Sequence, residues 1–278
     1  MNAETTRNSE IGAIIRKYRS RFGLADEIAR KFMLASTLEP LADKSGCTTR
    51  YADLKDSKKL EFFIAAGINS GFSIARMVEY CQDRQMENAY SFFPEAVVAS
   101  RFNRGGGKIN QGILEAIIPI ICAQVINFNN IKDRPLTVLS LATDYLKQTS
   151  KQDVVNLIAG KELANKISGV EHKYPVNRHD VGNVFEYYQA EERLEVERGD
   201  LTGILHNRQF LDGFSNIKFM LETMMASHQA TLLEKTVQAY ELVRLKHQEK
   251  IGVGLAADHC AVCLYVYLAL IEHREGII

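Results

Sequence analysis

A glycine-rich segment flanked by cations carries the strongest chemical signal in this sequence. It extends from Arg101 to Lys108 and leads within a few residues into a long apolar stretch. Consecutive glycines let the backbone approach a ligand closely, and free N–H groups at the start of a helix attract anions. The predicted phosphate ligands in this segment are Arg104, Gly105, Gly106, Gly107, Lys108 and Asn110. The alternative is a connector whose basic residues are merely solvated.

A second polar segment lies between Leu38 and Asp56 and is dense in carboxylates. Mg²⁺ is held by carboxylates together with substrate phosphates, so Asp53 and Asp56 are candidate metal ligands. Glu39 is a candidate catalytic base, and Asp53 is a second candidate catalytic residue. The competing interpretation is a polar loop in which Asp53 or Asp56 caps the next helix.

A third candidate site lies where Gly252 and Gly254 precede Asp258 and His259. Small residues allow the backbone to approach a ligand, and an acid beside an imidazole can move protons. Asp258 is therefore a candidate catalytic residue. The alternative is that Asp258 caps a helix.

Composition limits the classes of function. The 34 basic residues balance 34 acidic ones, so no overall charge attracts the chain to nucleic acid or to a membrane. The N-terminus has no apolar signal core, and no apolar stretch is long enough to span a bilayer. These features predict a cytoplasmic protein with no nucleic-acid and no membrane partner. The Cys260-x-x-Cys263 pair lies in an apolar run, which favours burial in the core over metal or redox chemistry.

Helices must position these segments, because apolar residues recur at helical spacing along the chain and hairpin signals are poor. We predict an all-α fold: a single bundle-like domain of about ten helices that comprises residues 1–278, with residues 1–8 flexible. The predicted helices begin with one near Ser9 and continue over Ala25 to Leu38, Asp56 to Asp83, Glu87 to Ser100, Gln111 to Ile126, Thr137 to Gln148, Gln152 to Lys166, Val181 to Arg198, Phe210 to His228, Thr231 to Lys250 and Ala256 to His273.

The order of these loops resembles the triphosphoribosyl-dephospho-CoA synthase family, whose members serve citrate lyase and malonate decarboxylase. That family has an N-terminal segment that begins Leu-Glu and ends Lys-Pro-Gly, and the segment from Leu38 to Gly46 is similar. Its Gly-Gly-x-Asn-Thr loop opens an apolar helix, as the segment from Gly106 to Asn110 does. Its C-terminal Gly-x-x-Ala-Asp turn resembles the segment from Gly254 to Asp258. The likeness extends in order over residues 25–273.

The resemblance implies an all-helical enzyme that transfers the triphosphoribosyl part of ATP to the ribose of dephospho-CoA and releases adenine. Mg²⁺ and basic groups would hold the triphosphate, and a carboxylate would stabilise positive charge at the anomeric carbon. On this basis Lys44 joins the loop cations as a phosphate ligand. Asp53 and Asp56 would hold the ion, and Glu39 would act as the base or stabilise the sugar.

Several positions depart from the family pattern. Asp43 and Ser45 stand in place of two prolines, and Ala230 stands where the family has an aspartate. Other functions therefore stay open: transfer to a different acceptor, hydrolysis of a nucleotide or phosphosugar, or a non-catalytic helical module that binds a nucleotide or a protein. The oligomeric state is open as well, a homo-oligomer included.

Overall fold

The helical spacing of apolar residues determines the architecture. The computed structural model describes residues 23–83, 88–127, 131, 134, 136–170, 176 and 180–271, which form eleven α-helices and no β-strand. The helices are α1 (Leu24–Leu38), α2 (Leu60–Asp83), α3 (Phe92–Ala99), α4 (Gln111–Ile126), α5 (Thr137–Gln148), α6 (Lys151–Ser168), α7 (Val184–Arg198), α8 (Leu201–Leu211), α9 (Ser215–Ala226), α10 (Leu232–Lys246) and α11 (Val253–Val266). Single 3-10 turns occur at Glu39–Leu41 and Ala89–Ser91, and a π-helical segment follows α11 at Tyr267–Ile271. The predicted all-α fold is confirmed.

α4 is the central helix of the fold. Thirteen of its sixteen residues are buried, and it contacts α2, α3, α5, α6 and α11. Its apolar residues form a nearly continuous run, so the helix is enclosed on all sides and not along one stripe. Because α4 is enclosed, the polar residues at its start, Asn110 and Gln111, are buried as well.

Most predicted helices coincide with observed ones to within a few residues, and both ends of α4 and α5 agree. The helix predicted near Ser9 lies outside the described residues. The sequence pattern does not predict α8, and the structure corrects this. Asp200 starts α8 by accepting hydrogen bonds from the N–H groups of Thr202 and Gly203, and the polar residues and glycine within the helix obscure its apolar spacing. The helix predicted from Phe210 is therefore the end of α8 followed by α9.

The two cysteines of the C-terminal pair lie in the core of α11. Cys260 and Cys263 are buried and free, and Sγ of Cys263 lies 3.3 Å from Sδ of Met224. Burial raises the pKa of both thiols above the ordinary value for cysteine. The prediction that this pair serves packing agrees with its position.

The core also encloses a histidine without a hydrogen-bond partner. His259 on α11 is 1% exposed, and neither of its ring nitrogens is bonded to any described residue. Burial, together with the charges of His206 and His247, lowers the pKa of His259 to about 3. The imidazole is therefore neutral in the folded protein at neutral pH.

We expect the free energy of unfolding to fall as the pH is lowered from about 6.5 towards 3, because the unfolded chain takes up a proton at His259 that the folded chain refuses. Each pH unit in this window costs up to about 1.4 kcal/mol. Urea denaturation at pH 7 and pH 5 measures the loss. Between pH 7 and pH 5, the free energy of unfolding should fall less in His259→Leu than in the unchanged protein. In His228→Leu, which changes an exposed position, it should fall by as much as in the unchanged protein. Equal losses in all three proteins would assign the pH dependence to other groups.

Candidate functional site

A cavity of about 640 Å³ opens between the starts of α4, α8 and α11 and the sides of α6 and α7. Its volume lies within the range of small-molecule sites. The segment between α1 and α2 closes one side of it with residues between Gly46 and Lys58. Four of the predicted site residues line this cavity: Glu39, Lys108, Asn110 and Asp258.

The start of α4 faces the cavity without a cap. Asn110 precedes the helix in the left-handed region (φ 64°), its carbonyl accepts the N–H of Leu114 at 2.9 Å, and no side chain caps the helix. The N–H groups of Gln111, Gly112 and Ile113 have no acceptor within the helix, and these residues line the cavity. The free donors and the positive end of the helix dipole favour an anion at this place.

α11 begins at the same cavity. Its N-cap is Gly252, which has no side chain to accept a hydrogen bond, and the first three helical residues, Val253, Gly254 and Leu255, line the cavity. The position of a Cβ at Gly254 has no neighbouring atom within 4 Å, so the cavity lies directly over the backbone there. Two uncapped helix starts therefore face one cavity.

Two lysines stand near the start of α4. Lys108 and Lys58 both line the cavity, and Lys108 follows the glycine-rich loop directly. Desolvation of its ammonium group lowers the pKa of Lys108; the charge of Glu115 opposes this effect, and the charge of Lys161 adds to it. An anion bound here would relieve the repulsion among these cations.

Asp258 places a carboxyl group against the start of α4. A Cβ added at Gly112 would overlap this carboxyl group, so only glycine permits the approach. Burial raises the pKa of Asp258 to about 8, and the charges of Glu39 and Glu115 act in the same direction, while nearby lysines oppose them. A carboxyl group with this pKa is largely protonated at pH 7 and exchanges its proton near neutrality, as a general acid or base must.

A buried ion pair fixes Glu39. Its Oε1 lies 3.0 Å from Nζ of Lys44, and both side chains are almost fully inaccessible. Nζ of Lys44 also donates hydrogen bonds to the carbonyl oxygens of Glu39 and Ala42. Burial lowers the pKa of Lys44, but the charge and hydrogen bond of Glu39, together with the nearby thiols of Cys260 and Cys47, outweigh it and raise the pKa above its ordinary value. Lys44 therefore pairs with Glu39 and does not line the cavity, whereas the resemblance predicts that it binds phosphate.

Glu115 joins four helices beneath the cavity. Its Oε2 lies 3.3 Å from Nζ of Lys161 on α6 and 3.2 Å from both the hydroxyl of Tyr188 on α7 and Nε2 of His206 on α8. Its Oε1 accepts a hydrogen bond from Nε2 of Gln111 at 2.5 Å. Burial alone would raise the pKa of Glu115, but Lys161 and His206 outweigh it and hold the pKa well below its usual range.

The guanidinium of Arg104 shapes the glycine-rich loop. It donates hydrogen bonds to the carbonyl oxygens of Ser100, Gly105 and Gly107. Burial, with the charge of Arg101, lowers the pKa of Arg104 to about 10. These contacts turn the guanidinium towards the loop backbone, and Arg104 does not line the cavity.

The glycines of this loop pack against α2 and the turn before it. Gly106 has a left-handed backbone (φ 77°), and a Cβ there would overlap the carbonyl oxygen of Ser57 and the ring of Phe62. The loop therefore positions Lys108 and Asn110, which line the cavity. The predicted phosphate ligands that lie outside the cavity lining are Lys44, Arg104, Gly105, Gly106 and Gly107.

Asp53 and Asp56 are exposed and do not line the cavity. Oδ1 of Asp53 accepts a hydrogen bond from the N–H of Leu60 at 2.8 Å at the start of α2, which agrees with the capping alternative. Among the described residues, no group of three or more His, Cys, Asp or Glu side chains could hold a metal ion. Asp53 and Asp56 do not fit a Mg²⁺ site at the cavity, and magnesium stays a prediction.

The sequence patterns did not single out several charged and polar residues that line the cavity, among them Lys58, Glu115, Lys161, His206 and Asn207. Glu115 carries a signal that could have found it, because a carboxylate inside an otherwise apolar helix must have a buried partner. His206 and Asn207 lie on α8, the helix that the apolar spacing does not reveal. Lys161 resembles any other lysine of a polar helix.

The described residues form an all-helical protein with a cavity lined by charged and polar side chains among apolar ones. Comparison of the chain with protein-family models, with curated proteins and with solved structures finds no match. Within the described part of the chain, no helix has the length and apolar character that crossing a membrane requires.

We expect Asp258→Asn to raise the melting temperature, and the gain should widen as the pH rises from about 4 to 8. The folded protein holds the proton of Asp258 up to about pH 8 whereas the unfolded chain releases it near pH 4, so ionisation costs stability across this interval. Each kcal/mol corresponds to roughly 2–4 °C. Thermal denaturation at pH 5 and pH 8 measures the gain. Asp43→Asn, at an exposed position, is the control; a gain that does not depend on pH would contradict the assigned pKa.

We expect Gly112→Ala to destabilise the protein by about 1–3 kcal/mol, because the added methyl group displaces the carboxyl group of Asp258 from the start of α4. Gly254→Ala adds a methyl group to the same cavity where no atom opposes it, and should be neutral or slightly stabilising. Urea denaturation of both variants measures the difference. Equal effects would mean that Asp258 does not contact Gly112.

Proposed function

We propose that this protein transfers the triphosphoribosyl part of ATP, or of a similar nucleotide, to the hydroxyl group of an acceptor and releases the base. One observation carries the proposal: an uncapped helix start, two lysines and a carboxyl group with a pKa of about 8 meet in one cavity. The resemblance to triphosphoribosyl-dephospho-CoA synthases supports the same chemistry and suggests dephospho-CoA as the acceptor.

The phosphates of the nucleotide bind at the start of α4. The N–H groups of Gln111, Gly112 and Ile113 donate to phosphate oxygens, and Lys58 and Lys108 balance their charge. These donors are fixed by the burial of α4, so little reorganisation is needed when the ligand binds.

Asp258 provides the proton that the leaving base needs. The bond between the anomeric carbon and the base breaks, its electron pair goes to the base nitrogen, and the carboxyl group of Asp258 supplies the proton. The acceptor oxygen then bonds to the anomeric carbon and gives its proton to the Asp258 carboxylate. The group ends as it began, so one carboxyl group serves both half-steps.

Glu39 stabilises the sugar while the bond breaks. Positive charge develops at the anomeric carbon in such a transfer, and a fixed carboxylate lowers the energy of that state. The ion pair with Lys44 holds Glu39 in place at the cavity.

The first experiment incubates the protein with ATP and Mg²⁺, with and without dephospho-CoA, and measures free adenine and any triphosphoribosyl adduct by mass spectrometry. We expect adenine release that depends on the acceptor. Lys108→Ala should lower kcat/KM by about 10- to 100-fold, since one charged contact to phosphate is lost. Lys250→Ala, at an exposed lysine outside the cavity, should have no effect.

The same experiment separates the competing functions. Free ribose triphosphate without an adduct would show a hydrolase on this scaffold. Stabilisation by ATP without adenine would show a binding module. Neither adenine nor stabilisation would remove the nucleotide proposal.

We expect kcat/KM to fall as the pH rises through about 8, because Asp258 then loses the proton that the leaving base requires. A pH–rate profile between pH 6 and 9.5 measures this. Asp258→Asn should abolish adenine release while ATP binding persists. A profile that stays flat through pH 8 would assign the proton to another group.

A further inference from the structure

The side of the cavity formed by α7 and α8 differs chemically from the start of α4. We call it the acceptor wall, after its hydrogen-bond acceptors: Glu191, Glu195 and Asn207. Glu191 and Glu195 are four residues apart on α7 and share one face, and Gly203 and Asn207 share a face of α8 in the same way. This side of the cavity therefore offers side-chain acceptors, whereas the start of α4 offers backbone N–H donors and lysines.

The helices that carry the acceptor wall, α7 and α8, pack closely against each other. A Cβ at Gly203 would lie 2.7 Å from Cγ of Glu195, so glycine lets Glu195 lie directly along α8. On the outer side, Glu192 and Arg208 join α7 to α8 by an ion pair of 2.7 Å. Oε1 of Glu195 pairs with Arg198 one turn along α7 at 3.0 Å, which leaves Oε2, the oxygen next to Gly203, as the acceptor that a ligand can use.

Asn207 indicates that the acceptor wall binds a ligand. It is 2% exposed and lines the cavity, and its Oδ1 accepts no hydrogen bond from any described residue. A buried carbonyl oxygen without a donor is costly, by about 1–3 kcal/mol. Gln111, at the start of α4, likewise has a buried Oε1 without a donor. A ligand with hydrogen-bond donors could bond to both of these oxygen atoms.

The acceptor wall lies next to the phosphate site. Glu115 contacts His206, the neighbour of Asn207 on α8, and also Gln111 in the first turn of α4. A single side chain therefore separates the two sites. In a nucleotide, the part that lies one short link from the phosphates and carries hydrogen-bond donors is the ribose.

We propose that the acceptor wall binds the ribose hydroxyl groups of the nucleotide, with Glu195 and Asn207 as the acceptors. Carboxylate and amide oxygens accept hydrogen bonds from vicinal hydroxyls, as acidic residues do in dinucleotide sites. This assignment rests on the proposed function, since it places the phosphates at the start of α4. It makes the protein selective for ribonucleotides over 2′-deoxyribonucleotides.

The test compares the binding of ATP, 2′-deoxyATP and inorganic tripolyphosphate by calorimetry. The unchanged protein should bind ATP about 10-fold or more tightly than 2′-deoxyATP, because the latter leaves an acceptor unpaired. Glu195→Met and Asn207→Leu should reduce this ratio to about one, with unchanged affinity for tripolyphosphate. Glu197→Met, at an exposed position of α7, is the matched control, and Asn207→Asp should keep the preference because it keeps an acceptor.

The outcomes distinguish the two proposals. Equal affinity for ATP and 2′-deoxyATP, with tripolyphosphate binding that Lys108→Ala weakens, would overturn the ribose assignment and leave the phosphate site intact. A preference for ATP that survives both Glu195→Met and Asn207→Leu would overturn it too. No binding of tripolyphosphate to the unchanged protein would overturn the proposed function and the ribose assignment together.

Discussion

The burial of one helix start is the constraint on which the rest of the structure depends. α4 is buried along most of its length, and its first N–H groups have no acceptor within the helix and no capping side chain, so they need another partner. No capping side chain accepts hydrogen bonds from these N–H groups, and a cavity lies next to them instead. The left-handed Asn110, the glycine at 112 and the lysines at 58 and 108 all follow from it, because each keeps the helix start open to an anion. Burial of this strongly apolar helix thus places unpaired polar groups at its start.

Sequence patterns predicted what depends on local spacing. α4 and α5 are long, strongly apolar periodic segments, and their ends were predicted to the residue. Lys108, Asn110 and Asp258 are predicted because each lies beside glycines or a helix start, and Glu39 because it lies in a segment rich in carboxylates. All four line the cavity. The direction in which a side chain points depends on tertiary packing, which local spacing does not encode. Arg104 therefore turned out to bind its own loop, and Asp53 to accept a hydrogen bond from the start of α2. The sequence patterns do not predict the acceptor wall, because one of its two helices is α8. The glycine and polar residues of α8 obscure the helical spacing of its apolar residues.

Several cavity groups oppose folding. The pKa of Asp258 is raised by burial and by neighbouring carboxylates, and buried amide oxygens of Gln111 and Asn207 have no donor among the described residues. Packed cores avoid such groups, since each costs free energy that hydrophobic burial elsewhere must offset. Their presence distinguishes this cavity from another one of about 570 Å³, whose lining includes the exposed Phe72 and Phe102. Strain of this kind is typical of sites that act on ligands.

The contacts of the Glu115 carboxylate affect how the helices around it unfold. It contacts α4, α6, α7 and α8 at once, through Gln111, Lys161, Tyr188 and His206. A helix that moved away alone would leave a buried charge with fewer partners, which is far more costly than an apolar gap of similar size. The four helices are thus locked to one another, and partial opening of any one of them is suppressed. In hydrogen-exchange terms, we expect the amides of these helices near Glu115 to become accessible in one cooperative opening.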